Sequence, residues 1–132
     1  MSRLQKAAVI LARWGVGYMP SIWAIGSFLD SRKSLSPLLS LAGYFGVFLL
    51  SLICHLLSTD GIDSILSRSP AGKAYVADLN AKMAYVRANK GFGMTYFELT
   101  HAPGQLMTGI TGLLFLAVAL SSAADWFQKA FR

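Results

Sequence analysis

Charge is scarce in this chain, and acidic charge scarcer still. Of 132 residues 14% are charged, with six Asp or Glu against twelve Lys or Arg. A soluble domain carries about 25% charged residues, so a dissolved globular fold would lack its polar surface. The single cysteine, Cys54, excludes an intrachain disulfide and any multi-cysteine metal site. There is no His-x-x-x-His, no Cys-x-x-Cys and no cluster of paired carboxylates. Ala71-Gly72-Lys73 ends like a phosphate-binding loop, but Ser67 stands where that loop needs its first glycine and Ala74 where it needs Ser or Thr. Gly91-Phe92-Gly93 is no dinucleotide fingerprint either, because position 96 is Tyr. These gaps argue for a protein that is not an enzyme.

Long charge-free runs are what the chain has instead. Pro37 to Ser58 contains no Asp, Glu, Lys or Arg. At helical rise it covers about 33 Å, the thickness of a hydrocarbon core. Gln105 to Ala124 is equally free of charge, and Ala7 to Leu29 is interrupted only by Arg13. We read 7–29, 37–58 and 105–124 as three membrane spans. The first is a retained span rather than a cleaved signal, since no small-residue cleavage site follows its apolar run. Arg13 lies near enough to one end to snorkel to the interface; alternatively Ser2 to Ala12 lies in the interface and the span begins at Trp14. Pro20 should kink this helix. Ser36-Pro37 reads as an N-cap and first helical residue, after a polar turn from Asp30.

Between spans 2 and 3 the character changes. Thr59 to Asp63 reads as a turn and Ser67 to Gly72 as a second break. From Ala71 to Lys90, Val76, Leu79, Met83 and Val86 recur at helical spacing with Tyr75 alongside, and Asp78 and Lys82 form an i,i+4 pair. This is an amphipathic helix suited to a membrane surface or a partner. Gly91 to Gly93 should end it, while Met94 to Thr100 fits a strand or an extended lead-in equally. The expected fold is an all-α membrane protein, residues 1–132 as one integral domain: three transmembrane helices plus one amphipathic interfacial helix.

Small residues mark expected helix-packing positions: Ser40, Gly43 and Gly46 on the second span, Gly109 and Gly112 on the third, with Ala117, Ser121 and Ala124 farther along. Arg13, Trp14, Lys73, Lys82, Arg87, Lys90 and Trp126 are expected at the lipid interface. The basic residues are scattered, which suits anionic lipid and topology control and excludes nucleic acid. Eight Lys or Arg fall on the side holding the N-terminus and the loop 59–104, against four opposite. The positive-inside rule then puts that side in the cytoplasm or matrix of a bacterial or mitochondrial inner membrane, with the C-terminus opposite.

His55, near the end of the second span, and His101, just before the third, should meet the same membrane face. Two imidazoles there suit haem or quinone, with Ser51, Ser58 or Tyr96 as neighbours; as plain interfacial histidines they need no ligand. Three functions follow. The first is a non-catalytic integral subunit of a larger inner-membrane complex of respiratory, photosynthetic or secretion type, partnered by other membrane subunits and structural lipids. The second is a haem- or quinone-binding anchor of a respiratory complex using His55 and His101. The third is a stand-alone effector of the holin or bacteriocin-immunity kind.

Overall fold

A computed structural model describes residues 1–90 and 101–131. Among them every regular element is helical. Helix α1 spans Arg3–Ser31, α2 Pro37–Leu56, α3 Ile62–Leu66, α4 Pro70–Lys90 and α5 Pro103–Ala130. Three stretches are long and apolar enough to cross a membrane: Arg3–Ser34, Pro37–Leu66 and Pro103–Ala130.

Each helix begins on a device written locally in the sequence. Ser2 and Gln5 form a capping box, each side chain serving the other's backbone N–H, so α1 starts at Arg3 and not at Ala7. There is no break in the helix before Trp14; one helix runs from Arg3 through Pro20. Ser36 Oγ accepts from the Leu39 N–H at 3.3 Å, with Pro37 opening α2. Ser69-Pro70 repeats this for α4, Ser69 Oγ accepting from Gly72 N–H at 3.1 Å.

The expected turn at Thr59–Asp63 does not form. The chain stays helical from Pro37 to Leu66 through one wide π-turn, Leu57–Gly61. Ser58 Oγ and Thr59 Oγ1 both donate to the His55 carbonyl, at 3.0 and 2.9 Å. These hydroxyls serve a carbonyl of the preceding turn, which lets the backbone widen without leaving polar groups bare. The expected break at Ser67–Gly72 holds, lying between α3 and α4. The expected stop at Gly91–Gly93 and the stretch Met94 to Thr100 fall outside the described residues.

α1, α2 and α5 pack together as a bundle. α1 and α2 are antiparallel: the Phe28 and Tyr44 rings meet edge-on at 4.6 Å near one end, and Arg13 meets Ser58 at the other. α2 and α5 are antiparallel too, with Phe45 on Phe115 at 5.8 Å and Thr108 Oγ1 donating to the Ser51 carbonyl at 3.2 Å.

The interior is small and hydroxylated. Ser21, Ser51, Ser58 and Thr111 are buried almost completely, while Leu113, Leu120, Trp23 and Leu38 stand outside. Ser21 and Thr111 turn their hydroxyls onto carbonyls of their own helices. Water as solvent would favour the reverse distribution. Small residues and hydroxyls inside with long apolar chains outside is the packing that a hydrocarbon solvent favours, because burying leucine gains nothing there.

Candidate functional site

The end of the bundle where α2 leaves its charge-free stretch gathers much of the buried polarity of the described residues. Arg13 is its centre. Expected to snorkel, it is instead 1% exposed and points into the protein. Its Nη1 donates to the Ser58 carbonyl at 2.8 Å and approaches that of Thr59 at 3.5 Å; its Nη2 donates to the Asp63 carboxylate. Inward pairing wins because a guanidinium facing hydrocarbon finds no acceptors, whereas the carbonyls of a π-turn and a carboxylate supply three. The Arg13 Nε remains buried with no hydrogen-bond partner.

The same end is where the backbones come closest. A Cβ at Gly104 would stand 2.5 Å from His55 Cα, and one at Gly17 would stand 2.9 Å from Gly104 N. α1, α2 and α5 therefore touch through Gly17, His55 and Gly104, with no room for a side chain. That contact seats His55 and leaves its Nδ1 buried and without a partner.

Above this contact lies a cavity of about 430 Å³. Its floor and one wall are Arg13, His55, Leu56, Thr59, Asp60 and Asp63; His101 and Ala102 close the α5 side. The roof is α4, through Leu79, Asn80, Met83, Ala84 and Arg87. The apolar face expected of α4 thus turns to the protein, with Leu79 buried and Val76, Met83 and Val86 half-buried. Burial raises the Tyr75 hydroxyl above its ordinary pKa of 10.0 on this face; the nearby Arg13 pulls the other way and Asp63 reinforces the rise. The Asp78–Lys82 pair forms at 2.9 Å on the exposed side.

Both candidate histidines line this one cavity. Of their expected neighbours, Ser58 is spent on the His55 carbonyl, Ser51 Oγ is buried without a partner, and Tyr96 falls outside the described residues. Among the described residues no group of three His, Cys, Asp or Glu is placed to hold a metal ion, and Cys54 is a buried free thiol. A haem fits the lining poorly. The cavity wall carries Arg13, Arg87, Asp60 and Asp63, whereas a porphyrin ring needs apolar faces on both sides.

The packing positions divide. Gly43 lies against the Phe28 ring and Gly112 against Phe48, where a Cβ would come within 3.3 Å. Ser40 is half-buried. Gly46 and Gly109 have open space around them, and Ala117, Ser121 and Ala124 are exposed with Gly109, so none of these five packs within the chain. The cause is rotational: α5 buries Gly104, Met107 and Thr111, which leaves Gly109 on the far side.

Among the interface positions, Trp14 is part-exposed and meets Tyr18 edge-on at 6.1 Å, while Lys73 and Trp126 are exposed. Lys82 is the exposed partner of Asp78, Arg87 lines the cavity, and Lys90 ends α4. The reading from sequence missed Arg13–Asp63, Gly17 and Gly104. A lone Arg in an apolar run calls for an acid, and only Asp60, Asp63, Asp78 and Glu98 lie on its side, so that signal was available. Compared with protein-family models, curated proteins and solved structures, the chain matches none.

Proposed function

We propose that this chain is a non-catalytic integral subunit of a larger membrane assembly. The outer face of α5 carries the reading. Gly109 sits there in open space, in line with exposed Leu113, Leu116 and Leu120, and with Ala117 and Ala124 beside them. A glycine facing lipid gains nothing and costs about 1 kcal/mol of helix propensity in water-based scales. Against a second helix the same gap allows close backbone approach. Of the three long helices α5 is also the least covered by its own chain. The experiment is purification from the native membrane in mild detergent, comparing the natural chain with Gly109→Leu. A defined hetero-oligomer that Gly109→Leu dissolves without loss of helix content is the expected result. A monomer carrying only lipid would refute it.

A second reading is favoured by a separate observation, the meeting of His55 and His101 in one cavity. In this reading the chain is an anchor that holds a ligand at the membrane boundary.

A further inference from the structure

We infer that the cavity beneath α4 receives the uncharged, hydrogen-bonding ring of a membrane-dissolved amphiphile of the quinone type. The inference rests on the second reading above and names the ligand class for it.

Position is the first argument. His55 and Leu56 end α2 proper, close to the end of the charge-free stretch and to Asp60 and Asp63 beyond it. The cavity thus straddles the level at which the chain passes from apolar to polar. A molecule with a long apolar tail reaches that level from the bilayer, and its head comes to rest among polar groups. The volume of about 430 Å³ is in the range of small-molecule sites.

Charge is the second. The lining holds two arginines and two aspartates, and Arg13 is already paired with Asp63. An anionic head would meet carboxylates, and a cationic head guanidinium groups. A neutral head meets a balanced wall.

Hydrogen-bonding chemistry is the third. Asn80 offers a donor and an acceptor, the Thr59 hydroxyl, whose proton serves the His55 carbonyl, offers an acceptor, and both imidazoles line the same space. Two of the lining residues also carry a buried polar atom with no partner, Arg13 Nε and His55 Nδ1. Leu79 and Met83 give the roof an apolar surface against which a flat ring lies. A ring with oxygen atoms on opposite edges engages both walls at once. A fatty alcohol or diacylglycerol head engages one.

The test is isothermal titration of the full chain in nanodiscs with ubiquinone-1, with decyl phosphate and haemin as parallel probes. Ala84→Trp fills the cavity from an exposed position on α4, so the bundle should fold, which circular dichroism checks. Asn80→Leu removes one polar group from the same helix. Saturable one-to-one binding of ubiquinone-1, abolished by Ala84→Trp and weakened at least fivefold by Asn80→Leu, is the expected result. Uptake that never saturates, or that Ala84→Trp leaves unchanged, is partition into lipid and overturns the inference. Saturable binding of decyl phosphate or haemin in place of ubiquinone-1 overturns the ligand class but keeps the anchor reading. No saturable binding of any probe overturns both.

Discussion

Removing the two partners of the buried ion pair should have unequal consequences, and their combination should be milder than the worse of them. Arg13 is 1% exposed and Asp63 23%. Asp63→Ala strands an almost fully buried guanidinium, and breaking a buried pair in this sense costs about 3–5 kcal/mol. The carbonyls of Ser58 and Thr59 still accept from Arg13, so the lower end applies, about 3 kcal/mol or roughly 150-fold in the folding equilibrium. Arg13→Met leaves a carboxylate that is already part-wetted and a Ser58 carbonyl short of one donor, a loss of about 1–2 kcal/mol. The double variant Arg13→Met/Asp63→Ala buries no charge at all and should resemble Arg13→Met alone. Arg13→Met therefore rescues Asp63→Ala. The assay is SDS-titrated unfolding in mixed micelles, followed by far-ultraviolet circular dichroism. If Arg13→Met destabilises more than Asp63→Ala, or if the two losses simply add, Arg13 is not held as described.

Close backbone contact predicts that Gly104→Ala or Gly17→Ala destabilises the bundle by about 2–3 kcal/mol or more, since the atoms a Cβ would meet at Gly104 include His55 backbone that cannot swing aside. Gly46→Ala, in open space, should stay within about 0.5 kcal/mol of the natural chain in the same unfolding assay. Burial favours the neutral form of Tyr75, so the stability linked to it is complete below about pH 10 and declines as pH rises through its higher folded-state pKa. Ultraviolet titration should show a late phenolate transition that Tyr75→Phe removes, together with the corresponding alkaline decline. Deleting the exposed Asp60 from the π-turn should restore a regular helix and turn Asp63 away from Arg13, with a loss comparable to that of Asp63→Ala in SDS titration.

The three long helices and α4 were legible because their signals are local. A run without charge, Ser36 before Pro37, and apolar residues recurring three and four apart from Val76 to Val86 each act within a turn or two of their own position. The capping box at Ser2 and Gln5 was just as local and would have placed the start of α1 correctly. What sequence did not give is rotation. Gly109 and Gly112 are equivalent on paper, and only the packing of α5 against α2 decides that Gly112 meets Phe48 while Gly109 faces outward. The Arg13–Asp63 pair spans 50 residues and depends on how far the helix after α2 is wound, which no local pattern encodes. The histidines were brought together by the antiparallel hairpin of α2 and α5, a topological argument, and so were within reach.

The π-turn connects these points. One residue added to a helical turn rotates everything after it by about 100° relative to a regular helix. In this chain the widened turn at Leu57–Gly61 comes directly after α2, which ends in His55 and Leu56, and is separated from Asp63 only by Ile62. The Ser58 carbonyl of this turn accepts from Arg13, the Thr59 carbonyl (which also takes the Ile62 N–H) lies at 3.5 Å, and the turn sets the face on which Asp63 completes that contact. A lone arginine in an apolar segment would otherwise oppose membrane insertion. Buried this way, it ties α1 to the end of α2 on the side where α4 turns back over the bundle. Leu79 and Met83 then cover the polar cluster at a distance, with the cavity between them. The charge that looked like a defect in the first span is thus the group around which the polar cluster beneath α4 is built.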